Sequence, residues 1–217
     1  KTEALGVYRK ALALRRELAA VPGVDVKTRL VVAITVRQVG QVLISTGDTA
    51  GALEAFERSR DLALALEFES PSAEVRQALA TSHYNIGKAL SETGKTADAL
   101  ASYQTAQDLY QKLADANPTV TSYQSGLANS YHNIGILLSD TGKPADALAS
   151  YQTARDINQK LADANPTITS YQSDLANSHY NIGRVLSETG RPADALASHR
   201  KALDIRQKLV DAPPAVT

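Results

Sequence analysis

The 217-residue chain contains no cysteine, no methionine and no tryptophan, and aromatic residues make up only 5% of it. Without cysteine there is no disulfide framework, no thiolate metal site and no cysteine nucleophile. A charge surplus is also missing. Lys plus Arg is 23 and Asp plus Glu is 23. A general nucleic-acid binder needs a basic surface to displace counter-ions, so nucleic acid is excluded as the expected partner. No apolar run approaches the ~18 residues of a membrane-crossing helix, and the first residues do not resemble a signal peptide. A cytoplasmic location without membrane attachment is therefore expected. Residue 1 is Lys rather than Met, so the chain is expected to be a fragment or a trimmed product.

What the chain does contain is repetition, the feature that must be sought before any other. Ser82-His83-Tyr84-Asn85-Ile86-Gly87 returns as Ser130-Tyr131-His132-Asn133-Ile134-Gly135 and again as Ser178-His179-Tyr180-Asn181-Ile182-Gly183. A weaker copy is Gln38-Val39-Gly40. Residues 82–129 and 130–177 agree at 37 of 48 positions. A second marker, Ala-Leu-x-x-aromatic, begins at Ala4, Ala52, Ala99 and Ala147, and at Ala195 it ends on His199. There are thus five copies of the second half of the unit and four of the first. The expected organisation is one array. Residues 1–22 form the second half of a truncated unit, four whole units span 23–69, 70–116, 117–164 and 165–212, and 213–217 open another. Both ends fall at equivalent seams, which predicts that the natural protein continues beyond at least one of them.

Within residues 117–164 the pattern is helical. Tyr123, Leu127, Tyr131, Ile134, Gly135 and Leu138 recur mainly in steps of three and four. Asn117-Pro118 reads as the start of this helix, with Asn as cap and Pro in the first turn. Thr141-Gly142 reads as its end, since glycine accepts the left-handed conformation there. Pro144 opens a second helix with an apolar face of Ala147, Leu148, Tyr151, Ala154, Ile157 and Leu161. Asp163-Ala164-Asn165-Pro166 stops it. Gly135 and Ala147 are expected where the two helices of a unit cross closely.

The pattern Tyr131-x-x-Ile134-Gly135-x-x-Leu138, Gly142, then Ala147-x-x-x-Tyr151-x-x-Ala154, resembles the tetratricopeptide repeat over essentially the whole chain. These units have 47 or 48 residues where the family's usual unit has 34, so each helix is longer. The longer form is similar to the repeats of kinesin light chains and of large bacterial signalling proteins. The resemblance implies an all-α, right-handed superhelical solenoid of antiparallel helix pairs, with about nine helices over this length. It also implies that the first helix of each pair lines a concave groove for a protein or peptide.

By offset, the groove positions are Arg37, Gln38 and Gln41; Tyr84, Asn85 and Lys88; His132, Asn133 and Ile136; and Tyr180, Asn181 and Arg184. The recurring asparagine is the most suggestive. A side-chain amide both donates and accepts, so a ladder of amides can hold an extended peptide backbone. The alternative is that these asparagines only bond neighbouring helices or are copied without a role. Lys88 and Arg184 stand two units apart with Ile136 between them, which disfavours a clamp for a terminal carboxylate. The four histidines make no i, i+4 pair, so no metal site is expected. His83 and His179 read as core members, His199 takes the place of Tyr151, and His132 falls in the groove. Glu92 and Asp140 read as a solvated rim. No phosphate loop or nucleophile motif appears, so neither catalytic residues nor a cofactor are expected. The expected function is an interaction scaffold within a larger protein. The alternative is a spacer or self-association module that stacks through exposed terminal helices at 2–20 and 193–211.

Overall fold

The computed structural model describes residues 23–211, with residues 6, 13 and 17. The described residues form eight helices and no strand. The ninth helix expected within residues 1–22, the opening of a further unit at 213–217 and the terminal face expected at 2–20 fall outside the described residues, apart from those isolated positions. The chain divides into two compact units, Lys1–Asn117 and Pro118–Thr217.

The first unit contains α1 (Val26–Thr46), α2 (Thr49–Glu69), α3 (Ala73–Glu92) and α4 (Thr96–Ala116). Its first three helices begin at side-chain caps. Asp25 accepts from the Thr28 backbone N–H at 2.7 Å, Asp48 from Gly51 at 2.9 Å and Ser72 from Val75 at 3.2 Å. Such caps satisfy amides that have no partner within the helix. Helices α1 and α2 pack as a pair, α3 and α4 as another, and α2 lies against α3. Leu30, Ala63, Leu66, Val75, Ala78 and Leu79 form a core with Val26, Ile34 and Leu109 at its edge. Two buried hydroxyls join three helices at its side. Ser59 bonds the Ala33 carbonyl at 2.9 Å and meets the Ser82 hydroxyl at 2.9 Å.

The second unit contains α5 (Thr121–Asp140), α6 (Pro144–Ala164), α7 (Thr169–Glu188) and α8 (Pro192–Asp211). Helices α5 and α6 pair, α7 and α8 pair, and α6 lies against α7. Its core includes Ala147, Tyr151, Ile182, Val185, Leu186 and Ala195, with Ile136, Leu138 and Leu148 packed beside it. Gly142 ends the turn after α5 at φ 73°, and Pro144 is the first residue of α6.

One boundary differs from the sequence expectation. Asn117 does not start α5; it caps the end of α4, with its backbone N–H and its side-chain Nδ2 both donating to the Leu113 carbonyl. Pro118 disfavours the helical conformation for the residue before it, and that constraint prevails here over proline's liking for a first turn. Helix α5 begins three residues later, at Thr121. Asn165 repeats the arrangement at the end of α6.

Each pair is locked by a ring set against a glycine. A Cβ added to Gly135 would lie 2.8 Å from Tyr151 Cε1, and one on Gly87 would lie 2.9 Å from Tyr103 Cδ1. Gly40 faces Phe56 and Gly183 faces His199 in the same way. A third recurring position varies. It holds Ala63, Tyr110, Asn158 and Arg206 in successive pairs. The Tyr110 hydroxyl bonds the Thr81 hydroxyl at 2.8 Å, Asn158 donates to the Ser178 hydroxyl at 3.2 Å, and Arg206 donates to Asn177 Oδ1 at 3.0 Å.

Candidate functional site

In the first unit the expected site residues lie on α1 and α3. Gln41 and Lys88 are exposed, Gln38, Arg37 and Tyr84 are half-buried, and Asn85 is buried. The Tyr84 ring meets the Tyr103 ring edge-on at 5.5 Å. Burial, then Tyr84, then Glu92 push the Tyr103 phenol far above its ordinary range, so it stays protonated. Burial also pulls the Arg37 guanidinium down, with Tyr110 acting weakly in the opposite direction. Arg37 Nε is buried without a hydrogen-bond partner among the described residues.

In the second unit His132, Asn133 and Ile136 on α5 are half-buried, as are Asn181 and Arg184 on α7, while Tyr180 is exposed. His132 packs edge-on against Tyr151 at 5.7 Å, and burial lowers its pKa. Arg184 pairs with Glu188 at 3.1 Å and reaches the Tyr151 hydroxyl at 3.5 Å. Tyr180 is flanked by His199, with ring centres 5.4 Å apart, and by the Arg206 guanidinium, 5.4 Å from its centroid. These residues, with Ser187, Glu188 and Leu203, line an open pocket of about 580 Å³. His199, Leu203 and Arg206 come from the second helix of the pair, which the offset argument had left out. The available signal was spacing. Asn177 and Arg206 stand 29 residues apart, as do Thr81 and Tyr110.

The recurring asparagines share one bond. Asn85 Nδ2 donates to the Thr81 carbonyl and Asn133 Nδ2 to the Asn129 carbonyl, each at 2.9 Å and four residues back. One amide proton is therefore committed within the helix. That bond also fixes the rotamer of a side chain that would otherwise sample several. The bonded amide is thereby held in an ordered position.

Among the described residues, no group of three His, Asp or Glu side chains is placed to hold a metal ion. No described helix is long and apolar enough to cross a membrane.

Comparison with known proteins agrees with this geometry. Tetratricopeptide repeat models match residues 80–113, 127–166 and 175–213. No curated protein sequence matches the chain. Among solved structures, BtubC (BKLC) from P. vanneervenii is similar at a TM-score of 0.73 and 20% identity, over 99% of this chain and 79% of that one. A putative kinesin light chain from Podosopora anserina with nearly identical TPR-like repeats is similar at 0.65 and 13%, over 97% and 89%. MamA is similar at 0.57 and 16%, over 98% and 96%. At these identities the likeness is one of fold, and it is the repeat models that support a protein-interaction scaffold. The chain belongs to the tetratricopeptide repeat family.

Proposed function

We propose that the chain binds an extended peptide segment of a partner protein along the first-helix faces of its repeats, as one part of a larger protein. The observation that carries this reading is the recurring, pre-ordered asparagine, flanked in each unit by polar and aromatic side chains. A side-chain amide both donates and accepts, so a series of amides at repeat spacing can follow a peptide backbone. Tyr84, Lys88, His132, Tyr180 and Arg184 would then supply side-chain preferences. The test is a peptide array probed with the whole chain and with the Asn85→Ala/Asn133→Ala/Asn181→Ala variant. Loss of bound peptides across the array is expected. An unchanged set of peptides would remove the ladder from the mechanism.

A second reading, self-association, is favoured by one observation. Leu196, Leu203 and Val210 stand seven residues apart on α8 and are 51, 63 and 78% exposed. Light scattering tests it, since a mass that stays monomeric as concentration rises counts against association.

A further inference from the structure

Position 37 breaks the pattern of the repeats. At the same offset the other three first helices carry Tyr84, His132 and Tyr180. His132 and Tyr180 pack on Tyr151 and His199, and Tyr84 packs on Tyr103. Arg37 thus carries a guanidinium at the offset where the other three first helices carry a ring. Its Nε is buried and unbonded, and no carboxylate pairs with it among the described residues. Arg37 and Tyr84 both lie close enough to Tyr110 to act on its phenol. The Tyr110 hydroxyl is bonded to Thr81, which is itself bonded to the Gln77 carbonyl. Enclosing Nε without an acceptor is unfavourable, and no described carboxylate offsets the charge of the half-buried guanidinium.

We infer that Arg37 is an anion-recognition point, and that its ligand is the side-chain carboxylate of an Asp or Glu residue in a bound peptide. A guanidinium fork matches a carboxylate in two parallel hydrogen bonds. One guanidinium neutralises one carboxylate, whereas a phosphate monoester carries close to two charges and would need a second cation. Among the described residues Arg37 is the one cation that acts on the Tyr110 phenol. Tyr84 and Tyr110 would wall the pair and keep water from it, strengthening the attraction. This inference rests on the groove reading for its natural ligand, but the site itself is defined by Arg37.

The experiment has two arms. In the first, the whole chain labelled with 15N-arginine is titrated with N-acetyl-glutamate α-amide, N-acetyl-glutamine α-amide and inorganic phosphate. The Arg37 Nε–H signal is assigned by its loss in Arg37→Gln. The glutamate probe should move that signal saturably, about tenfold more tightly than the glutamine probe. Equal shifts from both probes, tighter binding of phosphate, or equal shifts at Arg184 and Arg206 would each overturn the inference. In the second arm the peptide array is probed with the wild-type chain and with Arg37→Gln. The variant should lose peptides rich in Asp and Glu and retain neutral ones. Identical selections overturn the Arg37 site while leaving the groove standing. An empty array with both proteins overturns the groove, and the probe titration then decides Arg37 alone. A thermal midpoint for Arg37→Gln at or above the wild-type value confirms that the variant folds, because the unpaired cation has been removed.

Discussion

The glycine-to-ring lock makes a quantitative prediction at Gly135. Replacing glycine by alanine inside a helix ordinarily stabilises by about 1 kcal/mol, because the unfolded chain loses freedom. At Gly135 the new methyl would stand 2.8 to 3.1 Å from three atoms of the Tyr151 ring. That ring is fully buried and cannot swing aside into solvent. Overpacking of this kind costs about 1–3 kcal/mol. The net expectation for Gly135→Ala is therefore a loss of about 0–2 kcal/mol. The double-mutant cycle separates the two contributions. Tyr151→Ala alone should cost about 3–5 kcal/mol through the cavity it leaves. In that background the Gly135 methyl has room, and Gly135→Ala should now stabilise by about 1 kcal/mol. The coupling between the two sites should thus be about 1–3 kcal/mol. Gly183→Ala offers a graded comparison, because its ring, His199, is only half-buried and can yield further. Urea unfolding followed by circular dichroism gives the midpoints at constant m-value. A Gly135→Ala protein as much more stable than wild type as a simple helix substitution predicts would refute the lock.

Two further outcomes follow from buried polar groups. Burial, as the largest influence in each case, holds the His83, His132 and His179 imidazoles below their ordinary pKa of 6.5. As pH falls the unfolded chain takes up these protons first, so stability is full above about pH 6.5 and declines as pH falls through the window beneath it. Unfolding midpoints measured between about pH 8 and about pH 5.5 should show this decline, and His132→Phe should flatten it. Asn158→Ala should destabilise by about 1–3 kcal/mol, since it removes the buried bond to Ser178 and leaves a void between α6 and α7. A urea midpoint within error of wild type would show that the bond contributes nothing.

The helix pairs were legible because their signals are local. A glycine at positive φ and a proline in the first turn constrain the backbone through their own covalent chemistry, and Gly142 and Pro144 stand where that chemistry places them. Asn117-Pro118 was misread because two local preferences of proline compete there, and the restraint on the preceding residue prevails. The site was legible only as a set of offsets. Nothing in the spacing shows that Asn85 and Asn133 bond their own helices, or that Arg37 Nε is enclosed without a partner. Arg206 was missed for a similar reason: its stacking on Tyr180 depends on which two helices face each other across a pair. Nor does the spacing show that the Ser59 and Ser82 hydroxyls meet in the core.

Near-identical repeats carry a hazard during folding, because a helix can dock correctly in every respect except on the wrong neighbour. The varying position at Ala63, Tyr110, Asn158 and Arg206 gives each second helix an address. Tyr110 finds a hydroxyl at Thr81, whereas docked against α5 it would meet Asn129 at that offset. Asn158 meets Ser178 and Arg206 the Asn177 amide oxygen, although the same residue types recur at Ser82, Ser130 and Asn129. What differs is bulk: Ala63, Tyr110 and Asn158 are all buried, so an exchanged helix brings a side chain of the wrong volume, which leaves a cavity or overpacks the contact. A chain copied almost verbatim from unit to unit thus retains its order through the few residues at which the copies disagree.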